Sequence, residues 1–203
     1  LYMYTKVRGY KVVSRFFPHQ VREMPLLLDV LERFESPTWE CLYVLLLWLS
    51  SMVLVPFPLH RGTPSPAERI HRLSTRFLSR PGKERDAASI VLGRLYARQE
   101  SEVLFSAFLQ GAEQATASLE PTGVLQTLCA FVKQADASLI RAHYDAILRV
   151  IAHLRTVDAR NMLVDRYAIK LEGRLAMQDP RDSHVDILLS LIHISEPTRL
   201  RRI

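Results

Sequence analysis

The stretch Thr38-Trp-Glu-Cys-Leu-Tyr-Val-Leu-Leu-Leu-Trp-Leu-Ser-Ser-Met-Val-Leu-Val-Pro56 decides the fold. From Cys41 to Leu59 it carries no charge over 19 residues, close to the length that crosses a bilayer. Pro56 and Pro58 cut it short, leaving about 15 continuous helical residues, or roughly 22 Å at 1.5 Å per residue. Tyr43, Trp48 and the pair Ser50-Ser51 interrupt the run, and no Lys/Arg cluster flanks one side of it, as a membrane span would require. The segment therefore reads as a central helix packed on both sides by neighbours, with Thr38 as its N-cap ahead of Trp39 and Glu40.

Outward from it, apolar residues recur at helical spacing in blocks separated by short Pro, Gly or polar breaks. One helix runs to about Phe17 and stops before Pro18, since proline disfavours helix in the preceding residue. A second, Val21 to about Phe34, places Leu26, Leu27, Val30 and Leu31 on one stripe. Beyond the central helix and a Pro-rich break (Pro56 to Pro66), helices are predicted near Ala67–Leu78, Lys83–Arg98, Glu102–Leu119, Thr122–Lys133, Ser138–Leu154 and Val157–Met177. Roughly nine helices with short turns and no strand-like alternation predict stacked helix pairs, with a compact bundle as the alternative architecture.

Composition agrees. Only 7 glycines occur in 203 residues and 48% of residues are hydrophobic, a mix that favours helix. Cys41 and Cys129 lie far apart in apolar surroundings and read as two buried core thiols of a reducing compartment. Leu1-Tyr-Met-Tyr4 shows no signal-peptide pattern, and the first helix reads as one that begins upstream. At the other end, Leu189-Ser-Leu-Ile-His-Ile-Ser-Glu-Pro-Thr-Arg199 resembles the conceptual translation of a sequencing-library adaptor. Residues 189–203 are therefore set aside from fold reasoning, and residues 1–188 are taken as the helical-repeat fragment. The tail's Arg199, Arg201 and Arg202 outweigh Glu196, so part of the formal charge of +6 lies there. The mild remaining excess fits a solvated surface better than a nucleic-acid binder.

Enzyme signatures are absent from the sequence. There is no phosphate-cradling Gly-rich loop, no G-x-S-x-G elbow and no metal-ligand histidine spacing. His143 and His153 are ten apart, near three helical turns, but read as packing or surface residues. Asp29, Glu32 and Glu35 sit beside Arg33 on a polar face and read as solvation with weak pairing along the helix. Lys6, Arg8, Lys11, Arg15, Arg69, Arg72, Arg76 and Arg80 are spaced to form basic ridges. Without interleaved aromatics, such ridges suit water or an acidic protein partner rather than a nucleic-acid groove. The chemistry predicted is a binding scaffold, not an enzyme, with no cofactor.

Several segments together carry a family likeness. Lys6-Val-Arg-Gly-Tyr-Lys11, Arg15-Phe-Phe-Pro-His19 with Val21, Thr38-Trp-Glu40, Tyr43-Val-Leu-Leu-Leu-Trp-Leu-Ser50, Pro56-Phe57 and Lys83 with Arg85-Asp-Ala-Ala88 resemble the N-terminal part of the tubulin-folding cofactor D family. The stretch Lys83 to Val91 also has the look of a HEAT-type second helix. The likeness fades between Gln99 and Ala152, apart from Leu125-Gln-Thr-Leu128, and returns at Ile169-Lys-Leu171 with Arg174-Leu175. Gln20, Cys41-Leu42 and the loop from Pro58 to Pro66 depart from the family pattern.

The resemblance implies an all-α HEAT/armadillo-like superhelix, here a fragment of a longer cytoplasmic, cytoskeleton-associated protein. It implies β-tubulin, the other tubulin-folding cofactors and an Arf-like small GTPase as partners, and a part in assembling or dismantling the αβ-tubulin heterodimer, with activation of tubulin's GTPase. Lys6, Arg8, Lys11 and Arg15 are the candidate partner-binding residues. An unrelated HEAT-type adaptor is the alternative function.

Overall fold

The structure, a computed structural model, describes residues 1–34, 38–114 and 119–178; the adaptor-like segment 189–203 lies outside them. The described residues contain helices and no strand. In chain order they are α1 (Tyr2–Arg8), α2 (Tyr10–Val13), α3 (Glu23–Arg33), α4 (Trp39–Met52), α5 (Pro66–Phe77), α6 (Lys83–Tyr96), α7 (Glu102–Glu113), α8 (Pro121–Gln134), α9 (Ala137–Ala142), α10 (Tyr144–Val157) and α11 (Met162–Ala176).

Local chemistry sets the starts. The Thr38 hydroxyl accepts from the Cys41 N–H at 3.4 Å and opens α4. Ser65 and Glu68 make a reciprocal capping box around Pro66, with bonds of 3.2 and 2.8 Å, and open α5. Glu120 accepts from the Gly123 N–H at 2.8 Å ahead of α8. Asn161 does the same for Leu163 at 3.0 Å ahead of α11. Each cap satisfies backbone donors that the first turn leaves without partners.

The helices pack in two layers. α4, α6, α8 and α11 lie side by side in sequence order as an inner layer. α3 and α5 lie against each other and back α4 and α6, while α7 and α10 pair and α10 backs α11. This is the stacked-pair architecture of an armadillo-like repeat. Helix α4 is covered by α6, α3, α1 and the 3₁₀ turn Ser14–Phe16, and nine of its side chains are buried. Its all-round apolar character thus serves burial from several sides, and among the described residues no helix is long and apolar enough to cross a membrane.

The inner helices touch closely where side chains are smallest. A Cβ placed on Gly93 of α6 would lie 2.5 Å from the Ala130 Cβ and 2.8 Å from the Phe131 backbone nitrogen of α8. Gly123, in the first turn of α8, sits equally tightly under the Leu78 carbonyl, at 2.7 Å. On the N-terminal side, Tyr2 meets Trp39 and Tyr43 edge-on, at 4.7 and 5.9 Å between ring centroids. The Trp48 indole N–H donates to the Pro18 carbonyl at 2.8 Å, so the first segment is pinned along α4. The Pro-rich loop after α4 is held by Arg98, whose guanidinium donates to the carbonyls of Val53, Val55 and Phe57 at 2.8, 2.9 and 2.5 Å. Glu100 accepts from the Leu59 N–H of the same loop at 3.0 Å.

Several sequence expectations are corrected. The first predicted helix is two, because Gly9 takes φ +81°, which breaks the spiral at a residue free of Cβ strain. The predicted helix from Ser138 to Leu154 is also two. It turns at His143, whose ring is wedged edge-on against Phe105 of α7 at 4.9 Å. Helix α7 ends at Glu113 rather than near Leu119, past the last buried side chain of its face, Ala112. Val157 closes α10 instead of opening α11, since the cap is Asn161. The buried stripe of α3 is Met24, Leu27, Leu28 and Leu31, with Leu26 and Val30 exposed. Its polar side fixes that rotation: Asp29 and Glu32 accept from Arg69 of α5 at 2.6 and 2.8 Å. Cys41 is half-buried, whereas Cys129 is buried.

Gly93→Ala tests the close approach of α6 and α8. Alanine in an exposed helix interior would gain about 1 kcal/mol over glycine. Here the added methyl meets backbone, so a net loss of about 1–3 kcal/mol is expected in urea unfolding.

Candidate functional site

A groove of about 870 Å³ runs across the inner layer, walled at its N-terminal side by α2 and the turn that follows. Its cations come from four separate places in the sequence. Lys11 and Arg15 enter from the N-terminal segment, Arg94 from α6, Lys133 from α8, and Lys170 and Arg174 from α11. Apolar surface from Leu54, Val55 and Ile90 and the rings of Tyr10 and Tyr167 fills the space between them.

One carboxylate, Asp86, lines the groove, and it is already engaged. Lys83 lies 3.3 Å from it and the Gln126 amide donates to it at 3.1 Å. The same amide nitrogen reaches the Tyr167 hydroxyl at 2.8 Å, joining α6, α8 and α11 across the floor. Arg94 donates to the Ser50 carbonyl at 2.7 Å and its hydroxyl at 3.0 Å, while its Nε is buried with no partner among the described residues. Arg174 donates to the Cys129 carbonyl at 2.6 Å. Both arginines are therefore held by neutral oxygens, which orient a guanidinium without cancelling its charge.

The charges feel one another. Lys11 across the groove, with burial, Arg174 and Lys170 adding to it, holds the Lys133 ammonium below the usual lysine range. Burial likewise lowers Arg94. Burial pushes the Cys129 thiol up to about 11, against the opposing pull of Arg174 and Lys170, so it is protonated at neutral pH and a poor nucleophile.

Of the four residues named from the sequence, Lys11 and Arg15 line the groove, whereas Lys6 and Arg8 are exposed on α1 outside its lining. Of the other ridge residues, Arg76 and Arg80 are exposed, whereas Arg69 and Arg72 are not free. Arg69 is paired with Asp29 and Glu32, and Arg72 lies 3.7 Å from Glu32; hydrogen bonding from Arg69 holds the Glu32 carboxyl below its ordinary range. Arg94, Lys133, Lys170 and Arg174 are not among the binding candidates named from the sequence; they come from three helices, α6, α8 and α11, which stacking brings together. His143 packs on Phe105, and among the described residues no group of His, Cys, Asp and Glu is gathered to hold a metal ion.

Stacked helix pairs with a charged groove on their inner face define a helical-repeat scaffold of the armadillo type. Residues 1–116 match the family described as tubulin-specific chaperone D-like, ARM repeat, and the chain belongs to that family. It is also similar to tubulin-folding cofactor D of Schizosaccharomyces pombe, at 32% identity over 138 residues, which is 66% of this chain and 12% of that protein. The chain thus corresponds to a small part of that relative's length. No solved structure matches it.

The raised thiol gives a signed pH prediction. An unfolded cysteine titrates near ~8.5, below the folded value of about 11 for Cys129. Its contribution to stability is complete below the lower value and is lost as pH rises through the upper one, a swing of about 3 kcal/mol. Stability measured by urea unfolding is expected to fall from pH 9 to 11, and Cys129→Ala is expected to flatten that fall.

Proposed function

We propose that this chain is a partner-holding part of a tubulin-folding cofactor D-type chaperone. It binds β-tubulin after release from the chaperonin and acts with the other tubulin-folding cofactors and an Arf-like small GTPase in assembly and disassembly of the αβ-tubulin heterodimer. In that complex it contributes to activation of tubulin's GTPase as a scaffold, with no catalytic group of its own, in the cytoplasm and in association with the cytoskeleton. Membership of the tubulin-specific chaperone D-like family carries this reading. The groove supports it, because a broad basic face on stacked helices is complementary to an acidic protein surface. Lys6, Arg8, Lys11 and Arg15 form the N-terminal margin of the partner surface in this reading.

Affinity capture from cytosol with the tagged full-length protein tests it. β-Tubulin and a small GTPase are expected in the eluate at physiological salt. An eluate with neither would contradict the reading, and one holding other proteins without tubulin would favour an unrelated adaptor.

A further inference from the structure

Five arginines elsewhere on this molecule are paired closely with carboxylates. Arg69, Arg85, Arg98, Arg149 and Arg155 each have one within 3.5 Å. The six cations gathered in the groove are not paired in this way. Among the described residues, no carboxylate lies within ion-pair distance of Lys11, Arg15, Arg94, Lys133, Lys170 or Arg174. Two buried polar atoms at the same place, the Arg94 Nε and the Gln126 Oε1, also lack partners. Like charges brought together on four separate elements, an arrangement that lowers Lys133, are stabilised by an anion that the described residues do not supply. No two acidic residues are adjacent anywhere in the chain's 203 residues.

We propose that the groove binds an extended acidic peptide segment of a partner protein, with Lys11, Arg15, Lys133, Lys170 and Arg174 gripping its carboxylates and Arg94 at the floor. Neighbouring helices pack about 8–10 Å apart, so from α4 to α11 the groove spans roughly 24–30 Å, the reach of about eight extended residues. The apolar wall of Leu54, Val55 and Ile90 takes uncharged side chains between the acidic ones. A nucleic acid fits less well. The Tyr167 hydroxyl is bonded within the floor, and few aromatic faces are offered to bases. The inference stands on the groove and not on which partner the full-length protein captures.

Fluorescence anisotropy tests it, using the full chain and a fluorescein-labelled peptide of about nine residues with glutamate at alternate positions. Saturable binding is expected, weakened at least about tenfold by Lys133→Glu with Lys170→Glu, both exposed positions. Arg61→Glu with Arg160→Glu, exposed outside the groove, is expected to change it by less than about twofold. On the unaltered chain, the same peptide with glutamine in place of glutamate is expected to lose binding, a comparison independent of how any variant folds. Equal binding of the glutamine peptide, equal loss in both double variants, or displacement by a single-stranded oligonucleotide at the same concentration as unlabelled peptide would each overturn the proposal.

Discussion

The absence of a side chain at Gly93 lets α6 and α8 touch backbone to backbone, and the inner layer is built from that contact outward. With a Cβ there, Ala130 and Phe131 would have to move, and the floor of the groove would move with them. Gln126, which ties Asp86 to Tyr167 across three helices, lies one turn before Ala130 on α8. On its other side α6 packs against α4, whose Leu46, Leu47 and Leu49 are fully buried. Interiors packed in this way transmit displacement rather than absorb it. Shape at the core thus fixes charge at the surface.

That coupling accounts for the split in electrostatic character between the two layers. The outer contact between α3 and α5 is closed by Arg69 with Asp29 and Glu32, a cluster that neutralises its own arginine. The inner face instead gathers cations held by backbone carbonyls, the Ser50 oxygen for Arg94 and the Cys129 oxygen for Arg174. Carbonyls at the inner helices orient these guanidiniums and leave their charge outstanding.

What the sequence discloses follows the range of the interaction. The uncharged run from Cys41, the Thr38 cap and the Ser65–Glu68 box are local signals, and α4 and α5 stand where they point. The family likeness of the first hundred residues was legible for the same reason, since the motifs are contiguous. The groove was not. Lys11 and Lys170 are separated by most of the chain and meet only because four helices stack. Periodicity also misplaced the α3 face by one residue, because Leu26 and Val30 are as apolar as the side chains that are buried, and the choice is made by Arg69 on another helix. The pair Lys11 and Arg15 was visible as basic sequence, but nothing local separates it from Lys6 and Arg8, which fall outside the groove.

The most direct test of this account is the NMR titration of the Lys133 side chain, which reports whether the N-terminal segment and α8 face each other across the groove. Its midpoint is expected below that of the other lysines and is expected to rise when Lys11 is replaced by methionine, since removing a like charge favours the protonated form. A Lys133 that titrates as a solvent lysine and is indifferent to Lys11→Met would contradict the groove as described.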